Sequence, residues 1–136
     1  MQQDAISARN NLLWLPLQAV NVPDANGNMI AFSSDNAEHG PLPYAGSIIG
    51  IGVRHNADLT GGVITWTPTI NGVAASGLAV VTEDTVQSIW KAIQADVVNF
   101  AAGSRLGIAW TKTGTVAPTT TDVIGGLLVL LKNMDF

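Results

Sequence analysis

Few residues in this chain carry side chains that do chemistry. There are two histidines, His39 and His55, and no cysteine. The run "DNAEHG" gathers Asp35, Glu38 and His39, oxygen and imidazole groups that hard or borderline metal ions accept. A metal centre needs several ligands converging from a fixed frame, and this polar stretch is equally the composition of a solvated loop, which is the preferred reading. "DANGNMIAFSSD" places Asp24, Asn26, Asn28 and Asp35 at positions 1, 3, 5 and 12 of a calcium loop. Met29 then stands where that loop needs glycine, and Asp35 where it needs a bidentate glutamate. Pro, Asp, Asn and Gly are explained there by turn geometry alone. No metal site is assigned.

Catalysis fares no better. A general base needs a nucleophile and an orienting acid beside it. His55 instead continues the phase of Ile49, Ile51 and Val53, which makes it a strand-end histidine packed against the core. The chain has no G-x-S-x-G elbow, no P-loop and no glycine-rich strand-to-helix turn. It is therefore expected to be no enzyme, with no catalytic residue and no cofactor.

Four tryptophans remain, Trp14, Trp66, Trp90 and Trp110, and a set of indoles can stack sugars. Trp66 and Trp110 share the phase of aliphatic neighbours and Trp90 shares that of Val86, Ile89 and Ile93, so these three are expected in the core. Trp14 is the one left open for a ligand. Charge excludes another class of partner. Only 12% of residues are charged and 47% are hydrophobic, with six basic residues scattered along the chain and a net charge of −4. No basic stripe exists to neutralise a phosphate backbone, so nucleic acid is not an expected partner. The longest apolar run, Ile124 to Leu131, is far shorter than the roughly 20 residues that span a bilayer, and the N-terminal stretch lacks the basic start of a secretory signal. The expectation is a soluble protein made in the cytoplasm, whose low-charge exterior implies cover from copies of itself.

The elements that would position these residues are mostly strands. "VITWTPTI" alternates Ile64, Trp66, Pro68 and Ile70 against Val63, Thr65, Thr67 and Thr69. Asn71-Gly72 follows, the dipeptide suited to a type I′ turn, and "VAASGLAVV" returns. Two-residue-turn counting pairs Ile70 with Val73 and Trp66 with Gly77. Pro68 has no N–H to give a ladder, which puts it at a sheet edge or a bulge. "SIIGIGVRHN" sets Ile49, Ile51, Val53 and His55 against Ile48, Gly50, Gly52 and Arg54, so something can pack closely over the glycines. "SRLGIAWTK" repeats that bulky-against-small division. The stretch "TEDTVQSIWKAIQADVVNFAAG" has helical spacing at Val86, Ile89, Trp90, Ile93 and Val97, with Thr82 as N-cap and Gly103 as stop, and predicts a short helix. Its rival is a strand in which Val86, Ser88 and Trp90 alternate. The last strand, Val123 to Leu131, is apolar at both parities, so one face needs cover.

Short strands joined by turns, with one helical insertion, predict an all-β protein, an antiparallel β-sandwich. Residues 1–43 read as an arm with a strand, a turn, a strand at "MIAF" and a loop, packed on a sandwich formed by 44–136, a single domain overall.

"AGSIIGIGVRHNADLTGGVITWTPTINGVAAS" followed by "AAGSRLGIAWTKTGTVAPTTTDVIGGLLVLL" resembles a domain of tailed-phage virion proteins. Its carriers are Gly62, Thr65, Asn71-Gly72, Gly103, Arg105, Leu106, Gly107 and Pro118 through Val123. The pattern often has an acid before the arginine, and Ser104 stands there instead. Such domains are jelly rolls that assemble as trimers in capsid decoration (cement) proteins, head fibres or tail parts. The resemblance implies a homotrimeric decoration subunit on the outer capsid surface of the virion, with the major capsid protein as partner. The alternative it implies is a head-fibre or tail-tip module that binds a host receptor or glycan. On the first reading Met1, Gln2, Gln3, Asp4, Ile6 and Arg9 form an arm that grips the shell, and Leu127, Val129 and Leu131 meet neighbouring subunits.

Overall fold

The computed structural model describes residues 11–22, 26–31, 37–84 and 86–132, and two antiparallel sheets enclose the core. The first sheet runs β1 (Leu12–Val22), β11 (Thr121–Leu131), β4 (Gly46–His55), β8 (Ser88–Ala92), with β9 (Asn99–Phe100) also on β4. The second runs β2 (Gly27–Asn28), β10 (Leu106–Ala117), β5 (Thr60–Ile70), β6 (Val73–Ala74), with β3 (Glu38–His39) on β10 and β7 (Val80–Thr82) on β5. Counting β2 with β3, β6 with β7 and β8 with β9 as interrupted strands gives the eight positions and strand order of a jelly roll. The expected all-β sandwich is the observed fold.

The core forms because alternate residues of each long strand are apolar. Leu15, Leu17 and Ala19 of β1, Ile51 and Val53 of β4, Ile64 and Trp66 of β5, and Leu106 and Ile108 of β10 all face inward and are buried. Asn71 (φ 53°) and Gly72 (φ 82°) make the type I′ turn, and Ile70 pairs with Val73 as predicted.

Beyond that pair the predicted register fails: Trp66 faces Val80, not Gly77. A 3-10 turn, Ser76–Leu78, interrupts the returning strand. Pro68 is the cause. Ile108 gives its carbonyl to Met29 N–H, so the Pro68 backbone points away from β10, and its carbonyl takes Ala75 N–H. The missing N–H thus falls where β6 stops, in an interior strand whose neighbour is broken.

The helix expected between Thr82 and Gly103 is absent, and the rival strand is correct for β8, which pairs with Gly50–Arg54 of β4. Helical spacing put Ile89 and Trp90 on one side; in the strand they face opposite ways. The β-branched residues accept either backbone, and the open edge of β4, with its two glycines, decides between them. A second expectation, that Ile49 shares the inward phase of Ile51, fails at a bulge. Leu128 pairs with Gly50 and Val129 with Ile48, leaving Ile49 as the extra residue and turning Ile48 into the core. The expected "MIAF" strand is also displaced. Gly27 and Asn28 pair with β10, and Ile30 forms a bridge to Gln18 of β1, so this short stretch passes from one sheet to the other.

Candidate functional site

The outer face of the first sheet carries the candidate site. Register sets three rows across it: Trp14, Leu128, Gly50 and Ala92; then Pro16, Gly126, Gly52 and Trp90; then Gln18, Ile124, Arg54 and Ser88. The middle row has no side chain at its two central positions. Both flanking tryptophans fold over that gap. A Cβ on Gly50 would lie 2.3 Å from Trp90 Cη2, one on Gly52 3.0 Å from Trp90 Cε3, and one on Gly126 2.5 Å from Trp14 Cζ2. No larger residue fits beneath either indole.

The two rings meet with centroids 6.3 Å apart and planes tilted by 43°, yet Trp14 is 44% exposed and Trp90 52% exposed. They form one wall of a groove of about 570 Å³. Gln18, Ile124, Arg54 and Ser88 stand opposite, and Gly52 and Gly125 contribute backbone. Arg54 makes no ion pair among the described residues. A smaller hollow, lined in part by Arg54, Gln87 and Asp122, adjoins it. The arrangement offers stacking surface on one side and hydrogen-bonding groups on the other.

The sheet edge beside this groove is closed to strand addition. Along β1 the outward backbone groups belong to Leu12, Trp14, Pro16, Gln18 and Val20, since Gln18 exchanges both its bonds with Ile30. Pro16 has no N–H, and its carbonyl lies 2.6 Å from His39 Nε2. An edge with a proline, a capped carbonyl and a bridged residue is a poor template for another strand.

The sequence-predicted residues fall in different places. Met1, Gln2, Gln3, Asp4, Ile6 and Arg9 lie outside the described residues, as do Asp24 and Asp35. Leu127, Val129 and Leu131 face inward and are buried between the sheets, and the outward side chains of that stretch are instead Leu128 and Leu130. The parity of a run apolar on both sides cannot be told without its partners. Glu38 and His39 point to separate tasks: Glu38 Oε2 is 3.7 Å from Arg105 Nε, and His39 caps Pro16. Asn26 Oδ1 accepts from Lys112 N–H, a turn contact. No group of three metal-ligating side chains occurs among the described residues.

Trp66 is buried and Trp110 packs against the core, as expected, but Trp90 is on the outside. The close packing expected over Gly50 and Gly52 is supplied by Trp90, while the exposure of Trp90 and the roles of Gly126 and Arg54 are what the sequence reading missed. The bare glycine face of "GIGVR" was the available signal, and it needed the strand reading of residues 88–92 to find its tryptophan.

His55 is buried against Trp66, ring centroids 5.6 Å apart. Its Nε2 lies 2.7 Å from Thr82 Oγ1, which also accepts the Trp66 Nε1–H at 2.9 Å. Its Nδ1 has no hydrogen-bond partner among the described residues. Burial lowers its pKa from 6.5 to about 4, so the ring is neutral at pH 7 and serves packing.

Comparison with known proteins adds no relative to this description: no family model matches the chain, and no curated protein matches it.

Proposed function

We propose that this chain is a structural subunit of a phage virion, a decoration protein that binds the outer surface of the head as a homotrimer. Its work is contact and not catalysis. One observation carries the reading: an aliphatic patch at the start of β1 and the end of β11. Leu12, 49% exposed, pairs with Leu130 on the outer face, with half-buried Leu128 alongside. Leucines at this density on an open sheet face favour burial against another protein surface, at about 25 cal/mol for each Å² covered. The strand register that exposes them also blunts the neighbouring edge, so contact through the face is favoured over sheet extension. The jelly-roll strand order agrees with the virion domain that the sequence resembles.

Sedimentation of the full chain at micromolar concentration tests the assembly, and co-sedimentation with phage heads lacking it tests the partner. The expected result is a trimer that pellets with the heads and dissociates on Leu12→Glu with Leu130→Glu. A chain that stays monomeric and ignores the heads overturns the reading.

A further inference from the structure

We propose that the groove walled by Trp14 and Trp90 is a carbohydrate site that takes a short oligosaccharide of pyranose rings. The groove lies within one chain, so it needs no second copy and stands apart from the trimer proposed above.

Three features of the groove select this ligand class. Its first wall is two indoles that together offer a bent aromatic surface, 6.3 Å between centroids and 43° between planes. A pyranose ring has an apolar C–H face that stacks on such a surface. Its second wall is Gln18, Ile124, Arg54 and Ser88, in which amide, guanidinium and hydroxyl groups around the aliphatic Ile124 suit a ring's hydroxyl edge. Its floor is glycine backbone at Gly52 and Gly125, and the added-Cβ distance of 3.0 Å at Gly52 shows that Trp90 rests directly on it. The indole is thereby held in place while half of it stays in water, which is the state of a preorganised stacking platform. A wholly apolar ligand would strand the polar wall without partners. An amine-bearing ligand would meet Arg54 with no carboxylate to balance it among the described lining residues. At about 570 Å³ the groove falls within the size of ordinary small-molecule sites and holds more than one ring.

The exposed indoles also supply the readout. Intrinsic fluorescence of the full chain, titrated with mono- and disaccharides chosen from a glycan array, is expected to saturate with a shifted emission maximum. Trp90→Ala should weaken the affinity at least tenfold. Because Trp90 covers two glycines, Arg54→Ala and Ser88→Ala serve as variants that keep the platform, and each should weaken binding by several-fold with an unchanged unfolding midpoint. Leu12→Glu, which targets the trimer, should leave saccharide affinity as it is, so a failed trimer and a failed groove are told apart. The proposal is overturned if no array saccharide alters the fluorescence. Saccharide binding that survives Trp90→Ala overturns it as well, and so does a groove that answers only to proline-rich peptides.

Discussion

The two outer faces of this sandwich are built from the same pleat and meet water in opposite ways. On the second sheet, Thr65 of β5 pairs with Thr111 of β10, Thr67 with Ala109, Thr69 with Gly107 and Val63 with Thr113. Small residues and hydroxyls make up most of that surface, with Thr69 buried and Val81, paired with Thr65, 40% exposed. The first sheet carries Trp14, Pro16, Trp90 and Ile124 around a glycine trench. A face with little charge therefore does not by itself require a partner: threonine hydroxyls hydrate one side of this molecule well enough. Large apolar groups at open positions gather on the other side, at Trp14, Trp90 and Ile124, against Val81 among the threonines.

Several substitutions break or sharpen that contrast. The largest effect is expected at the trench floor. A side chain at Gly126 meets the Leu15 carbonyl at 2.5 Å as well as the Trp14 ring, so Gly126→Val should cost about 3 kcal/mol in urea unfolding. Thr67→Val on the threonine face should change stability by less than about 0.5 kcal/mol. Equal costs would mean that the two faces are packed alike.

Acid tests the interior both faces share. His55 has a folded pKa of about 4 against 6.5 unfolded, so the unfolded chain binds the proton first as pH falls. The stability that neutral His55 allows is whole above about pH 6.5 and is lost between there and pH 4. At roughly 1.4 kcal/mol for each pH unit, the loss approaches about 3 kcal/mol. Unfolding free energies from urea titration at pH 7 and pH 4.5 should differ by most of this in the native chain, and by much less in His55→Gln.

Charge placed on each face should then separate them by function. Leu12→Glu with Leu130→Glu is expected to weaken self-association at least tenfold, about 1.4 kcal/mol, in concentration-dependent sedimentation. Thr111→Glu with Thr113→Glu should leave it unchanged. A small effect is also expected at the ion pair of Lys132 with Asp96 at the rim. Both side chains are substantially exposed, so Lys132→Ala should cost under about 1 kcal/mol.

Much of the frame was legible beforehand. The alternation of "VITWTPTI", the Asn71-Gly72 turn and the inward phase of Ile51, Val53 and His55 all survive in the structure. What failed has common physics. The Trp66 register slipped by three because Pro68 disrupts its neighbour, not itself. The phase of β4 flipped at Ile49 because a bulge inserts one residue. Neither is visible in a single strand read alone, since both are properties of a pair.

The candidate site shows the same division. Composition and period two settled that the chain is an all-β sandwich with few ions on its surface, because strand alternation and turn chemistry are local. Only the tertiary structure decided which of two apolar parities in Val123 to Leu131 looks outward, and that Ser88–Ala92 is a strand on the glycine edge of β4. It also brought Trp14 and Trp90, far apart in the chain, to one trench. Those outcomes turn on cross-strand partners, and a residue's own neighbours in sequence carry no record of what it will face across the sheet.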